Sequence, residues 1–187
     1  MTKNELRYQE TELSLMDAFA AAISLRPLDR ITVTGLAEDA GISKAAFYRH
    51  YRDVQDLAEA FVADYALDQV ERMDYLADFN GDEQAFCKRF LADIRDDEMA
   101  FSLVENGLER VYLDELTDNL IERLDNEGLL PSVKAQRGAE SEEEDAPRSE
   151  MAARFVLQGL VTLGMRYRDY PQTLAEIAGA LLAALHV

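Results

Sequence analysis

A single glycine between two short amphipathic runs constrains this chain more than any other feature. Within Ile31–Leu57, Val33, Leu36, Ala37 and Ala40 recur at helical spacing and form one apolar face. Thr32 stands where an N-cap belongs, its hydroxyl suited to accept a backbone N–H of the first turn. Gly41 follows the run directly and suits the left-handed conformation that ends a helix. Ser43 is placed to cap a second run, Lys44 to His50. Two helices joined this tightly form a helix-turn-helix, whose second helix lies in a DNA major groove.

The residue types in the second run fit that use. Ala45 and Ala46 are small enough for close approach to base edges. Phe47 and Tyr51 are four apart and face a core together. Lys44, Tyr48, Arg49, His50 and Arg52 supply donors for phosphates and bases. A helical hairpin with a solvated basic turn has the same pattern, so the spacing alone leaves that alternative open.

The order I-T-V-x-x-L-A-x-x-A-G-I-S-K-A-A-F-Y-R-H-Y-x-D-x-x-D-L resembles the DNA-binding domain of the TetR family of bacterial transcriptional regulators. The resemblance covers about the first third of the chain. It implies an all-α fold: an N-terminal three-helix helix-turn-helix domain over 1–53, then a helical ligand-binding and dimerisation domain over 54–187. It implies double-stranded DNA as a partner, with Lys44, Ala45, Ala46 and Arg49 facing bases, joined by Thr34 from the preceding helix. Thr32, Ser43, Tyr48 and His50 are assigned to phosphates. Arg49 is the expected guanine reader, since its fork fits O6 and N7. One position departs from the pattern: Val54 stands where the family usually has a phosphate-neutralising Lys.

The chain carries 37 acidic and 19 basic residues, a net charge of −18. That balance argues against a non-specific nucleic-acid binder, whose footprint is a basic stripe. The distribution matters more than the sum. Between Gly41 and Arg52 there is no acid, and Lys44, Arg49, His50 and Arg52 are candidate cations, His50 only when protonated. The acids gather elsewhere, notably from Glu140 to Asp145. Residues 131–149, PSVKAQRGAESEEEDAPRS, hold two prolines and little apolar surface, which reads as a mobile acidic loop. No apolar run is long enough to span a bilayer and no leader opens the chain, so no membrane and a cytoplasmic location are expected.

The rest reads as helices. Residues 1–10 are expected to fray, with a first helix from about Thr11 to the break at Pro27. A long helix follows Asp53 to about Asp78, and Asn80-Gly81-Asp82 reads as a turn. Further helices span about Glu83–Asp97, Met99–Val104 and Leu108–Asn126, with Gly107 and Gly128 as stops. The last two, Glu150–Tyr167 and Pro171–Leu185, are rich in Leu and Ala, and Gly159 and Gly164 permit close helix approach. The resemblance implies that these two pair with their copies in a homodimer. It also implies a pocket for an unknown small-molecule effector, for which Phe86, Phe90, Met99, Phe101, Tyr112, Phe155 and Met165 are candidates. A stripe of such residues equally suits plain core.

Catalysis is not expected. The only histidines are His50 and His186, Cys87 is the only cysteine, and there is no phosphate-cradling glycine loop. No metal or cofactor is implied. The expected function is a homodimeric, ligand-responsive repressor on a palindromic operator. The alternative is an acidic α-helical interaction protein, or a small-molecule sensor, that has lost DNA binding.

Overall fold

The computed structural model describes residues 2–130 and 142–185, with the backbone alone for 142–150 and 185. Among the described residues there are ten α-helices and no strand: α1 Lys3–Ile23, α2 Val33–Asp39, α3 Lys44–His50, α4 Val54–Arg72, α5 Asp78–Gly81, α6 Glu83–Arg95, α7 Glu98–Glu105, α8 Glu109–Asn126, α9 Glu142–Arg166 and α10 Pro171–Leu185. None is long and apolar enough to cross a membrane.

The chain separates into two compact units that do not follow the 53/54 boundary expected from the sequence. The first is Met1–Tyr65 with Glu98–Tyr112; the second is Ala66–Asp97 with Leu113–Val187. In the first, α1 packs on α2, α3 and α7, and α2 on α3. Leu15, Phe19, Leu36, Phe47 and Leu57 are fully buried there. A non-local hydrogen bond explains why α7 belongs to this unit. The 3-10 turn Leu28–Arg30 follows Pro27, which has no side chain to cap it. The Leu28 N–H instead donates to Asn106 Oδ1 at 2.7 Å, from the turn after α7.

In the second unit α10 packs on α6 and α9, and α6 on α9. Two glycines bring helices close. A Cβ on Gly179 would lie 2.9 Å from Gln84 Cα, and one on Gly164 would lie 2.7 Å from Leu91 Cδ2. Gly159, expected to serve the same purpose, has nothing within 4 Å of such a Cβ.

Three other expectations change. Residues 1–10 were expected to fray, but among the described ones 3–10 are helical: Thr2 and Glu5 form a reciprocal capping box that starts α1 at Lys3. The helix after Asp53 ends at Arg72, and the expected turn at Asn80-Gly81 lies in a separate short helix, α5. Of the acidic loop, 131–141 fall outside the described residues, while the backbone from Glu142 is already helical.

Candidate nucleic-acid interface

The turn between α2 and α3 closes as its residue types require. Thr32 Oγ1 accepts the Gly35 N–H at 3.1 Å and starts α2. At the other end the Ile42 N–H donates to the Ala37 carbonyl at 2.8 Å and the Gly41 N–H to the Glu38 carbonyl at 3.1 Å. This pair of bonds is a Schellman ending, and it holds Gly41 at φ 66°, a conformation a side chain would strain. Ser43 Oγ then accepts the Ala46 N–H at 3.1 Å and starts α3.

One side of α3 faces inward and the other faces out. Phe47 is fully buried and Tyr51 is buried after it, with their rings 6.1 Å apart. Lys44, Ala45, Tyr48 and Arg49 form the exposed face, at the i, i+1, i+4, i+5 spacing of one helical side, with Tyr48 59% exposed. Thr32, Thr34 and Ser43 are also exposed. Ala46 is the exception among the expected base-facing residues. It is only 8% exposed, because it lies on the same inward side as Phe47.

The charges on this surface differ in how free they are. Among the described residues no carboxylate pairs with Lys44 or Arg49. Arg52, counted among the donors from sequence, is tied down. Its Nη2 lies 2.5 Å from Asp56 Oδ1 and its backbone N–H donates to Asp56 Oδ2 at 2.9 Å. The Arg52 side-chain hydrogen bond, with the backbone one beside it, holds the Asp56 carboxyl below the usual range. Asp53 Oδ1 accepts the Asp56 N–H at 2.9 Å, so two carboxylates cap the start of α4 where Val54 sits. Arg26 pairs with Asp39 at 3.3 Å, an exposed contact of little energetic weight.

His50 is half-buried at the end of α3. Burial pushes its imidazole pKa below the ordinary value, Glu12 opposes that shift and Arg49 adds to it. The neutral form of the ring is therefore favoured more than in a free imidazole. Sequence reasoning missed its neighbour: the Tyr8 ring lies stacked on it. The Thr2-x-x-Glu5 capping signature was the available sign that α1 reached far enough to place a ring there.

The expected effector residues divide between the two units. Met99, Phe101 and Tyr112 belong to the first unit; Phe86, Phe90, Phe155 and Met165 belong to the second. Phe86 and Phe90 are fully buried and stacked at 5.7 Å, in an aromatic cluster with Tyr75 and Phe79. They are core. Tyr112 is also fully buried, 6.5 Å from the Tyr65 ring. Phe155 is 76% exposed, since it points off the outer side of α9. With Leu163, Leu174, Ile177 and Leu181 it lines an open apolar groove of about 580 Å³ between α9 and α10. Among the described residues no group of three or more His, Cys, Asp or Glu side chains is placed to hold a metal ion.

Comparison with known proteins agrees with this geometry. The sequence profile described as "Bacterial regulatory proteins, tetR family" matches residues 15–61. An uncharacterised HTH-type transcriptional regulator of Mycobacterium tuberculosis (strain CDC 1551 / Oshkosh) is 24% identical over 151 residues, 79% of this chain and 78% of that protein. The TetR family repressor AlkX from Dietzia sp. strain DQ12-45-1b superposes with a TM-score of 0.60 at 15% identity, over 93% of this chain and 94% of that one. RolR, solved without ligand, superposes with a TM-score of 0.54 at 16% identity, over 94% of this chain and 90% of that one. At such identities the solved structures speak to the fold, while the profile match speaks to the head. The head thus carries a sequence similar to that of tetR-family regulatory proteins, on a chain whose fold is similar to that of TetR-type structures over nearly its whole length.

Proposed function

We propose that the protein is a homodimeric repressor that a small-molecule effector releases from a palindromic operator in the cytoplasm. The observation that carries this reading is the outer face of α3. Lys44, Tyr48 and Arg49 stand exposed there, no acid lies between Gly41 and Arg52, and Ala45 leaves room for a base edge. Lys44, Ala45 and Arg49 read bases, with Thr34 beside them. Thr32, Ser43, Tyr48 and His50 hold phosphates and fix the register. Thr32 and Ser43 keep their capping role as well.

A second copy supplies the symmetry. Phe155, Leu163, Ile177 and Leu181 expose apolar surface along α9 and α10, which suits an interface that is the same on both subunits. Half-sites then lie a helical turn of about 34–36 Å, or a multiple of it, apart. The effector acts by binding the DNA-incompetent arrangement of the dimer better than the competent one, because equal affinity shifts nothing. AlkX, the relative from Dietzia, is implicated in biodegradation of n-alkanes.

The test is selection of the purified full chain on a random duplex library at low and near-physiological salt. The expected result is a palindromic motif that the Lys44→Ala/Arg49→Ala variant fails to enrich. Arg49→Ala alone loses about 1–3 kcal/mol, concentrated at one base pair per half-site. No enrichment by the unmutated chain, or a uniform loss across all sequences for Arg49→Ala, refutes direct reading by this face.

A further inference from the structure

The first turns of α1 reach the far end of α3. The Tyr8 ring lies over the His50 ring with centroids 3.9 Å apart and planes 25° from parallel. One turn further along α1, Glu12 Oε1 accepts the Tyr51 Oη–H at 3.5 Å. His50 is the last residue of α3 and Tyr51 is its C-cap, so α1 grips the end of the helix from two successive turns.

The state of the His50 ring follows from one buried atom. Nδ1 is buried and has no hydrogen-bond partner. A proton there would be a buried donor left unsatisfied, a costlier state than a lone pair. The ring proton therefore belongs on Nε2. The groups that face the ring are Tyr8 and Glu12 from α1, and Arg49 and Tyr51 from α3 and its cap. Glu12 favours the charged ring and Arg49 disfavours it, while the stacked Tyr8 takes water away from one face.

We propose that Tyr8 is a positioning residue for DNA recognition: stacked on His50, it fixes the imidazole at the end of the reading helix and keeps it a neutral, Nε2-protonated donor. The proposal rests on the DNA-reading function above. It makes His50 a hydrogen-bond donor to phosphate and not a titrating cation. Operator affinity in the intact protein then lacks a His50 step on mild acidification. Without the Tyr8 ring, His50 takes up a proton at higher pH, and each subunit acquires a cation as the pH falls.

The test uses the full chain with Tyr8→Ala and Tyr8→Phe, each in a His186→Ala background, so that the NMR titration of a single histidine reports on His50. Tyr8→Ala is expected to raise the His50 midpoint. It should weaken operator binding about 2–10-fold at pH 7.5, in line with the loss of one aromatic stack, without changing the preferred sequence. Its affinity should then recover towards pH 6. Tyr8→Phe keeps the ring and should leave both readouts as they were. Equal losses for Phe and Ala would overturn the proposal, since the hydroxyl would then be the contact. An unmoved His50 midpoint in Tyr8→Ala, or an undiminished loss in a His50→Ala background, would overturn it too. Failure of the unmutated chain to select any duplex refutes the DNA-reading function and with it the role of Tyr8, while the titration still reads the stack in the free protein.

Discussion

Asn106→Ala should destabilise the head from a position far outside the reading helices. The Leu28 N–H is the first of a 3-10 turn and has no acceptor within that turn. Asn106 Oδ1 supplies one at 2.7 Å, and Asn106 Nδ2 donates in turn to the Ser102 carbonyl at 2.7 Å. Alanine removes both bonds and leaves a part-buried N–H without its partner. Each bond is worth about 0.5–1.5 kcal/mol net, and the orphaned donor sets the upper side of the range. Water reaches this site in part, so the total is about 1–2 kcal/mol. For a chain of this size that corresponds to a fall in Tm of about 2–8 °C. Urea unfolding followed by circular dichroism, at fixed protein concentration, measures the loss. Hydrogen exchange at the Leu28 amide locates it. Asn106→Asp keeps an acceptor for Leu28 and should recover part of the protection. Unchanged exchange at Leu28 in Asn106→Ala would refute the account, because the bond would then not hold the turn.

Gly179→Ala drives a Cβ towards the Gln84 backbone and should cost about 1–3 kcal/mol in urea unfolding. Gly164→Ala meets only the flexible end of Leu91 and should cost less; the reverse order would contradict the packing of α10 on α6. Ile177→Glu places a charge on the open α9–α10 face and should yield a folded monomer by sedimentation, whereas an unchanged dimer would move the interface elsewhere. Burial pushes the Cys87 thiol up to about 12, so a thiol reagent at about pH 8 should react only as the protein unfolds. Fast labelling of the native protein would place Cys87 at the surface. Val54→Lys should steepen the salt dependence of operator binding by about one unit for each phosphate it neutralises. An unchanged slope would mean that Asp53 and Asp56 hold the added charge back from DNA.

The reading helices were legible because each boundary obeys a rule confined to a few neighbouring residues. Thr32 and Ser43 cap, Gly41 takes φ 66°, and Phe47 with Tyr51 turns inward, all as their spacing requires. Ala46 misled because its size suits either a base edge or a packed core, and only its angular position beside Phe47 decides. The start of α1 was also written locally, in Thr2-x-x-Glu5, but a polar composition obscured it. Arg52 remains exposed but is paired with Asp56, four residues on, a contact that a count of cations in the sequence does not show. The effector residues are a different case. Aromatic and Met side chains look alike in sequence whether they line a cavity, fill a core as Phe86 does, or face outward as Phe155 does. Non-local partners such as Asn106 for Leu28 leave no periodic trace. Gly179 was missed in the same way, since the Gln84 backbone it admits belongs to another helix.

The tie between Leu28 and Asn106 also bears on how the protein is made. Translation delivers the chain from its N-terminus at about 5–20 residues per second. Both reading helices are synthesised with the first 65 residues, yet Asn106 and the rest of Glu98–Tyr112 follow only after the stretch Ala66–Asp97. The nascent head thus spends roughly seconds without α7, its Leu28 amide answered only by solvent. The same discontinuity limits modular exchange. A cut at residue 53, or even at 65, carries the reading helices away from part of the scaffold that supports them. A chimaera built on another body keeps this head intact only if it also carries the Glu98–Tyr112 segment, or an equivalent acceptor for Leu28.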